Sequence, residues 1–354
     1  MALFGIGHIY VVDFDEIELT NLTRSVLFRE NDAYNHSYKA EVVAQRAMEI
    51  NPQIKVIPIV GNLFSEVGFG IYRNVDVVIG CLDSRIARYQ LNRLCMRAGK
   101  SWVDGSIENM TGSVQVYTPG LACYECGLSR DEFNHIMVRT GCADVVNLQS
   151  SAGRVATTPI SASIIGAIEV QEGMKIIHLD TEAASQFKTL QGKLFHYEGL
   201  TNSTNVYKFA SWKNNCPAHE RWESIIDGPN LSAKQTVSEV LAALKSLLQV
   251  EHVEINMCNN KFVDKVVSDK PEKEFKVMVP ESQLDNCMSH DDEMRKLRYI
   301  TVFHKSFFEN IDADFPYQEL TLQQIGIPLF DVLQVSTEKG LFHVELDADA
   351  PLFL

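Results

Sequence analysis

The chain has 354 residues, 45 % of them hydrophobic and 22 % charged, the balance of a globular protein with core enough for two domains. A formal net charge of -14 gives it no field to hold a phosphate backbone, so nucleic acid is set aside as a main partner. No apolar run approaches the roughly 18 residues that suggest a membrane span. The N-terminus lacks a basic leader and has Asp13 and Asp15 close behind it, which argues against a signal peptide.

In chain order, "HIYVVDFD" reads as a strand and "SYKAEVVAQRAMEINPQ" as a helix stopped at Asn51-Pro52. "IKVIPIV" and "VDVVIGCLDS" follow as strands, then a helix over "RIARYQLNRLCMRAGK" that ends near Gly99. "SWVDGSI" and "GSVQVYT" are strands, and "TTPISASIIGAIEVQEGMKIIH" is an apolar core helix. "KLFHYEG" and "NVYKFASW" close this part as a hairpin. Alternating strands and helices predict a mostly parallel, doubly wound α/β sheet. Gly and Pro break the pattern in "DGPNLSAK", so the domains are expected at 1–226 and 227–354. The second has a Ser-capped helix in "SAKQTVSEVLAALKSLL". Short strands follow at "HVEINM", "KFVDKVV", "FKVMV" and "YITVFH", then a helical turn, a Gly-Ile-Pro break and two more strands.

The informative stretch is "DFDEIELTNLTR". A carboxylate at the carboxyl end of a Rossmann-type strand accepts hydrogen bonds from ribose hydroxyls, and Asp13 is placed for that. Asn21 and Arg24 follow in a loop at the same rim, where a guanidinium forks onto phosphate oxygens. Lys39 opens the next helix and carries a point charge suited to phosphates. Asp83 ends another strand at that rim, where a carboxylate among phosphates has a role if it holds Mg²⁺. Each residue alone also fits a plain solvated surface. Cys123 and Cys126 form a Cys-x-x-Cys pair, which alone is redox-active or zinc-binding. Cys216 and His219 repeat the spacing, and two such pairs can close a tetrahedral zinc site. Cys81, Cys95, Cys258 and Cys287 read as buried thiols in a reducing compartment, and a cytoplasmic location is the expectation.

Taken together, "VVDFDEIELTNLTR", "YKAEVVAQRAMEINP", "VIGCLDSRIARYQLN" and "CYEC" resemble the ubiquitin-like-protein activating enzymes and their bacterial adenylylating relatives, the ThiF-type fold, over roughly residues 3–220. The resemblance implies ATP and Mg²⁺ binding and adenylation of the C-terminal glycine of a small β-grasp protein. It implies that Asp13 binds ribose, that Asn21, Arg24 and Lys39 contact ATP, and that Asp83 is linked to magnesium. Arg88 and Asn92 match polar positions in the next helix. The structural Zn²⁺ of the family has two Cys-x-x-Cys pairs, so His219 stands where a fourth cysteine is usual. Cys142, between the first zinc pair and the "TTP" helix start, matches the nucleophile that takes the modifier as a thioester; with Arg24 it forms the expected catalytic pair. A buried loop thiol is the alternative.

In the family a strand and a Gly-rich turn come first. "ALFGIGHIYVVDFD" resembles the helix end and strand that follow them, so the glycine turn is expected to be missing here, with Gly5-Ile6-Gly7 no substitute. A shortened product, or a site completed by a second activating subunit or a homodimer, is the consequence. The C-terminal part resembles a ubiquitin-fold, β-grasp-like domain, which implies a surface for a conjugating enzyme. That domain weighs toward a ubiquitin-like modifier as partner and against the alternative, a sulfur-carrier adenylyltransferase. A non-catalytic scaffold is the other alternative. An NAD-dependent oxidoreductase is disfavoured, because the dinucleotide glycine fingerprint is absent and the zinc pairs have no role there.

Overall fold

The computed structural model describes residues 1–140, 158–257, 260–298 and 300–354, and the chain divides into two compact units. The first comprises Met1–Val60 and Tyr72–Trp222; the second comprises Gly61–Ile71 and Glu223–Leu354. Among the described residues no helix is long and apolar enough to cross a membrane.

In the first unit, β1 (His8–Val12) pairs in parallel with β2 (Lys55–Ile59). Ahead of β1, a turn over Ala2–Phe4 ends at Gly5 in the left-handed region, φ 72°. The Gly7 carbonyl accepts the Lys55 N–H. These glycines lead the chain into the sheet, as the sequence comparison implies. Between the strands run α1 (Glu30–Tyr34) and α2 (Lys39–Ile50), and Ala44 of α2 packs on Ile54 and Val56.

After the short α3 (Phe69–Asn74), β3 (Val78–Gly80) pairs in parallel with β4 (Trp102–Glu108) across α4 (Arg85–Ala98). Ser84 caps α4 by accepting the Ala87 N–H, and Gly99 ends it at φ 68°, a conformation that a Cβ disfavours. The expected single, mostly parallel sheet is split: β1 and β2 stand as a two-stranded sheet, β3 begins a separate five-stranded one, and beyond β4 its pairing is no longer parallel. Strands β4, β5 (Thr111–Tyr117), β6 (Lys193–Glu198) and β7 (Ser203–Lys208) are all antiparallel, because short turns join β4 to β5 and β6 to β7. Trp102 and Tyr117 stack at 4.6 Å in the core. Beyond β5 come α5 (Tyr124–Gly127) and α6 (Arg130–Thr140), then α7 (Pro159–Ile177), which lays Ile165 and Ile176 on Val103, Val114 and Val116.

The second unit starts with β8 (Ile225–Asp227) and α8 (Val237–Leu248). The cap of α8 is Thr236 in a capping box with Glu239, not Ser232; Ser232 is held instead by Asp349. Val237, Val240, Leu241 and Leu244 repeat at helical spacing and are buried, each contributing about 2 kcal/mol. The rest is β9 (Val253–Asn256), β10 (Phe262–Asp269), β11 (Glu272–Pro280), α9 (Leu284–His290), α10 (Asp292–Leu297), β12 (Phe303–Phe308), β13 (Asn310–Ile311), β14 (Val332–Thr337) and β15 (Gly340–Glu345). One sheet has the order β13-β9-β14-β15-β8, with only β15 and β8 parallel; the other has the order β11-β10-β12. The Gly61–Ile71 segment belongs to this unit through backbone contacts. The Phe69 N–H reaches the half-buried Asp331 carboxylate and the Gly70 N–H reaches the Phe330 carbonyl. A Cβ on Gly68 would lie 2.2 Å from the Leu329 carbonyl oxygen, so glycine is required there.

Candidate functional site

Asp13 follows the last residue of β1, half-buried. Its Oδ1 accepts the Asp15 N–H at 2.9 Å. Asp15 in turn meets the Lys39 Nζ at 2.6 Å and accepts the Lys39 N–H with its carbonyl, so the start of α2 is tied to the end of β1. Burial is the largest influence on Asp13 and raises its pKa; the Asp15 N–H and the Lys39 charge oppose this, while Asp15 and Asp83 add to it. Asp83 lies in the turn between β3 and α4, exposed. Asp13, Asp15, Lys39 and Asp83 thus share one electrostatic neighbourhood. Their charges act on Asp13, but the three carboxylates do not draw together into a ready-made metal cluster among the described residues.

Asn21 is buried, and its Oδ1 accepts the Glu18 N–H, so its amide braces the loop after β1. Arg24 is exposed and donates from Nη1 to the Thr20 carbonyl at 3.1 Å. Both are in the loop the sequence assigned to them, and in this conformation both are engaged with that loop's own backbone. Cys142 lies outside the described residues, as does Cys258. Of the thiols expected to be buried, Cys95 is buried, Cys287 is half-exposed and Cys81 is exposed; Cys81 follows β3 directly, where the strand has already ended.

Arg88 and Asn92, one turn apart on α4, point inward. The Arg88 Nε meets both Asp104 oxygens at 2.9 and 3.0 Å. Its Nη2 donates to the carbonyls of Leu82 at 2.6 Å and Gly105 at 3.2 Å. Beside this pair sits Glu169 of α7, 5 % exposed, with the Gly105 N–H on its carboxyl and, among the described residues, no hydrogen-bond partner for Oε1. Burial, then the Asp104 charge, pushes the Glu169 pKa up to about 8; burial also lifts Asp104 to about 6 against the pull of Arg88. Sequence reasoning passed over Asp104 and Glu169. Glu169 did leave a signal, an acid inside the apolar run "GAIEV".

Cys123, Cys126, Cys216 and His219 come together, with their ligand atoms all within 4.8 Å of one another. Cys123 precedes α5 and Cys126 lies within it, while Cys216 and His219 flank a second tight turn. The Cys123 sulfur is 3.8 Å from that of Cys126 and 3.7 Å from that of Cys216; the Cys126 sulfur is 3.3 Å from the His219 Nε2. Ligands at about 2.3 Å (sulfur) and 2.0 Å (nitrogen) in a tetrahedron stand about 3.5–3.8 Å apart, so the quartet fits Zn²⁺. Trp212 stacks on the His219 ring at 3.6 Å and fixes its plane. Desolvation lowers the His219 pKa and favours the neutral imidazole that a metal needs. Glu125, buried between the two cysteines, is neutralised by Arg93 at 2.8 and 3.2 Å.

A Rossmann-like α/β unit with charged side chains at the ends of parallel strands and a Cys/His knuckle is a ThiF-type fold. The model of the ThiF family matches residues 1–218, and the chain belongs to that family. Among curated relatives, the adenylyltransferase and sulfurtransferase MOCS3 of Culex quinquefasciatus is 28 % identical over 256 residues, 72 % of this chain and 52 % of the relative. The probable molybdopterin-synthase adenylyltransferase of Pyropia yezoensis is 29 % identical over 213 residues, 60 % of this chain and 51 % of the relative. MOCS3 of Drosophila willistoni is 26 % identical over 357 residues, 100 % of this chain and 66 % of the relative. The chain spans about half the length of the first two of these relatives. Among solved structures, E. coli MccB with ATP aligns with a TM-score of 0.47 at 23 % identity, over 61 % of this chain and 60 % of that one.

Proposed function

We propose that this chain is an ATP-dependent adenylyltransferase acting on the C-terminal carboxylate of a small protein. The observation that carries the reading is the shared neighbourhood of Asp13, Lys39 and Asp83 at the ends of β1 and β3, in a chain of the ThiF family. In this reading a carboxylate oxygen of the substrate attacks the α-phosphorus of ATP. An acyl-adenylate bond forms, the bond to the β-phosphate oxygen breaks, and pyrophosphate leaves. Asp13 takes the ribose hydroxyls, Asn21, Arg24 and Lys39 turn from their resting partners to the phosphates, and Asp83 holds Mg²⁺. Bound Mg²⁺ screens charge on the phosphates. The Cys/His quartet holds a structural Zn²⁺.

The relatives' names speak of molybdopterin-synthase adenylyltransferase and sulfurtransferase, which favours a sulfur carrier as substrate over a conjugated ubiquitin-like modifier. The Drosophila willistoni alignment runs over the whole of this chain, so the C-terminal unit weighs less against the sulfur-carrier reading than the sequence comparison implied. A thioester on Cys142, hand-over to a conjugating enzyme, a second subunit and a β-grasp C-terminal domain remain parts of the ubiquitin-like version. The test is ATP–pyrophosphate exchange with a panel of sulfur carriers and ubiquitin-like proteins ending in glycine. Exchange with one of them, reduced at least about 100-fold by Asp83→Ala, is the expected result. No exchange with any of them refutes the reading in favour of a binding scaffold.

A further inference from the structure

Asn92 is fully buried on α4, and its amide has a defined orientation. Its Oδ1 accepts the Tyr124 N–H at 3.1 Å, the first N–H of the turn that carries Cys123 and Cys126, and the Trp102 indole N–H at 3.4 Å. Both partners are donors only, so the oxygen must face them and the NH₂ must face the other way. There Nδ2 is buried and has no hydrogen-bond partner among the described residues. Cys123 immediately precedes Tyr124, whose N–H the Oδ1 holds, and its sulfur is close enough for the Asn92 amide to act on it electrostatically. A thiol is a poor acceptor, whereas a metal-bound thiolate is a good one. The buried NH₂ is therefore explained once the sulfur is ionised on a metal.

We propose that Asn92 is a positioning residue of the metal knuckle, donating from Nδ2 to the zinc-bound Cys123 thiolate while its Oδ1 holds the turn that presents Cys123 and Cys126. The inference rests on the zinc reading of the Cys/His quartet. It adds a link, because one turn earlier on the same helix Arg88 grips the Leu82 carbonyl beside Asp83. Helix α4 thus joins the knuckle to the turn that carries the proposed magnesium ligand.

Asn92→Asp separates the two roles. The variant keeps an oxygen for the Tyr124 and Trp102 donors but sets a second oxygen against the thiolate. The full chain is purified, its zinc measured, and its release to a chromogenic chelator followed. The wild type is expected to hold one zinc, and Asn92→Asp to hold it about 10- to 100-fold less tightly, with Asn92→Ala between them. In the cobalt-substituted chain the thiolate-to-cobalt charge-transfer band should shift in Asn92→Asp, which a purely structural role would not produce. If the variant does not fold, the ¹⁵N-labelled wild type decides: its Asn92 side-chain amide signals should move when cadmium replaces zinc. Zinc affinity and cobalt spectrum unchanged in Asn92→Asp, or amide signals indifferent to the metal, overturn this inference and leave the zinc reading intact. A wild type without zinc overturns both.

Discussion

Glu169 gives a pH dependence of known sign. The residue is 5 % exposed, its Oε1 has no hydrogen-bond partner among the described residues, and Asp104, Arg88, Cys81 and the Gly105 N–H face it. In the unfolded chain it loses its proton near 4.5, and in the folded chain only near 8. Between those values the native state binds more protons than the unfolded state, so stability falls as pH rises and levels off above pH 8. At about 1.4 kcal/mol per pH unit, the span from 4.5 to about 8 sets a ceiling of roughly 5 kcal/mol. Glu169→Gln removes the titration while keeping shape and neutrality. The variant should match the wild type near pH 5 and exceed it in stability above pH 8. All three tryptophans, Trp102, Trp212 and Trp222, lie in the N-terminal unit, so urea unfolding followed by their fluorescence reports on that unit. Asp104, lifted from 3.8 to about 6, keeps its own slope below pH 6 in both proteins. Parallel stability profiles for wild type and Glu169→Gln from pH 5 to 9 would refute the reasoning.

Asp349 is 1 % exposed and accepts from the Ser232 hydroxyl, the Ala233 N–H and the Phe330 N–H. Asp349→Ala strands two buried N–H donors and the half-buried Ser232 hydroxyl and should destabilise the C-terminal unit by about 2–5 kcal/mol, seen as faster amide exchange at Ala233 and Phe330. Gly68→Ala puts a Cβ 2.2 Å from the Leu329 carbonyl oxygen, which only a backbone shift relieves. A loss of about 2 kcal/mol or more, with raised exchange at Phe69 and Gly70, is the expected outcome.

Local residue chemistry carried much of this protein. Periodicity placed β1, α2, β2, α4 and α7, because each buries a face whose spacing is written in consecutive residues. The knuckle was legible because each half is a short-range pair, Cys123 with Cys126 and Cys216 with His219, and one metal demands both. The positions of Asp13 and Asp83 just past strand ends were legible from the apolar runs before them, whereas the single sheet expected to join those strands is not formed: β1 pairs only with β2, and β3 belongs to the five-stranded sheet.

What the sequence could not supply were relations between residues far apart along the chain. The antiparallel part of the five-stranded sheet depends on β5 meeting β6 across more than seventy residues. Glu169 acquires its altered acidity only because α7 is packed over Gly105 and buries it, and Asn92 its bond from the Tyr124 N–H only because α4 is packed against the knuckle. Gly61–Ile71, which sequence order places in the first domain, folds with the second because Asp331 and Phe330 satisfy its backbone N–H groups. Sequence alone settled which residues carry charge, sulfur and helical or extended preference, since these are properties of single side chains and near neighbours. Only the tertiary structure decided which of them lose water and meet, since burial and long-range contact belong to the packed chain.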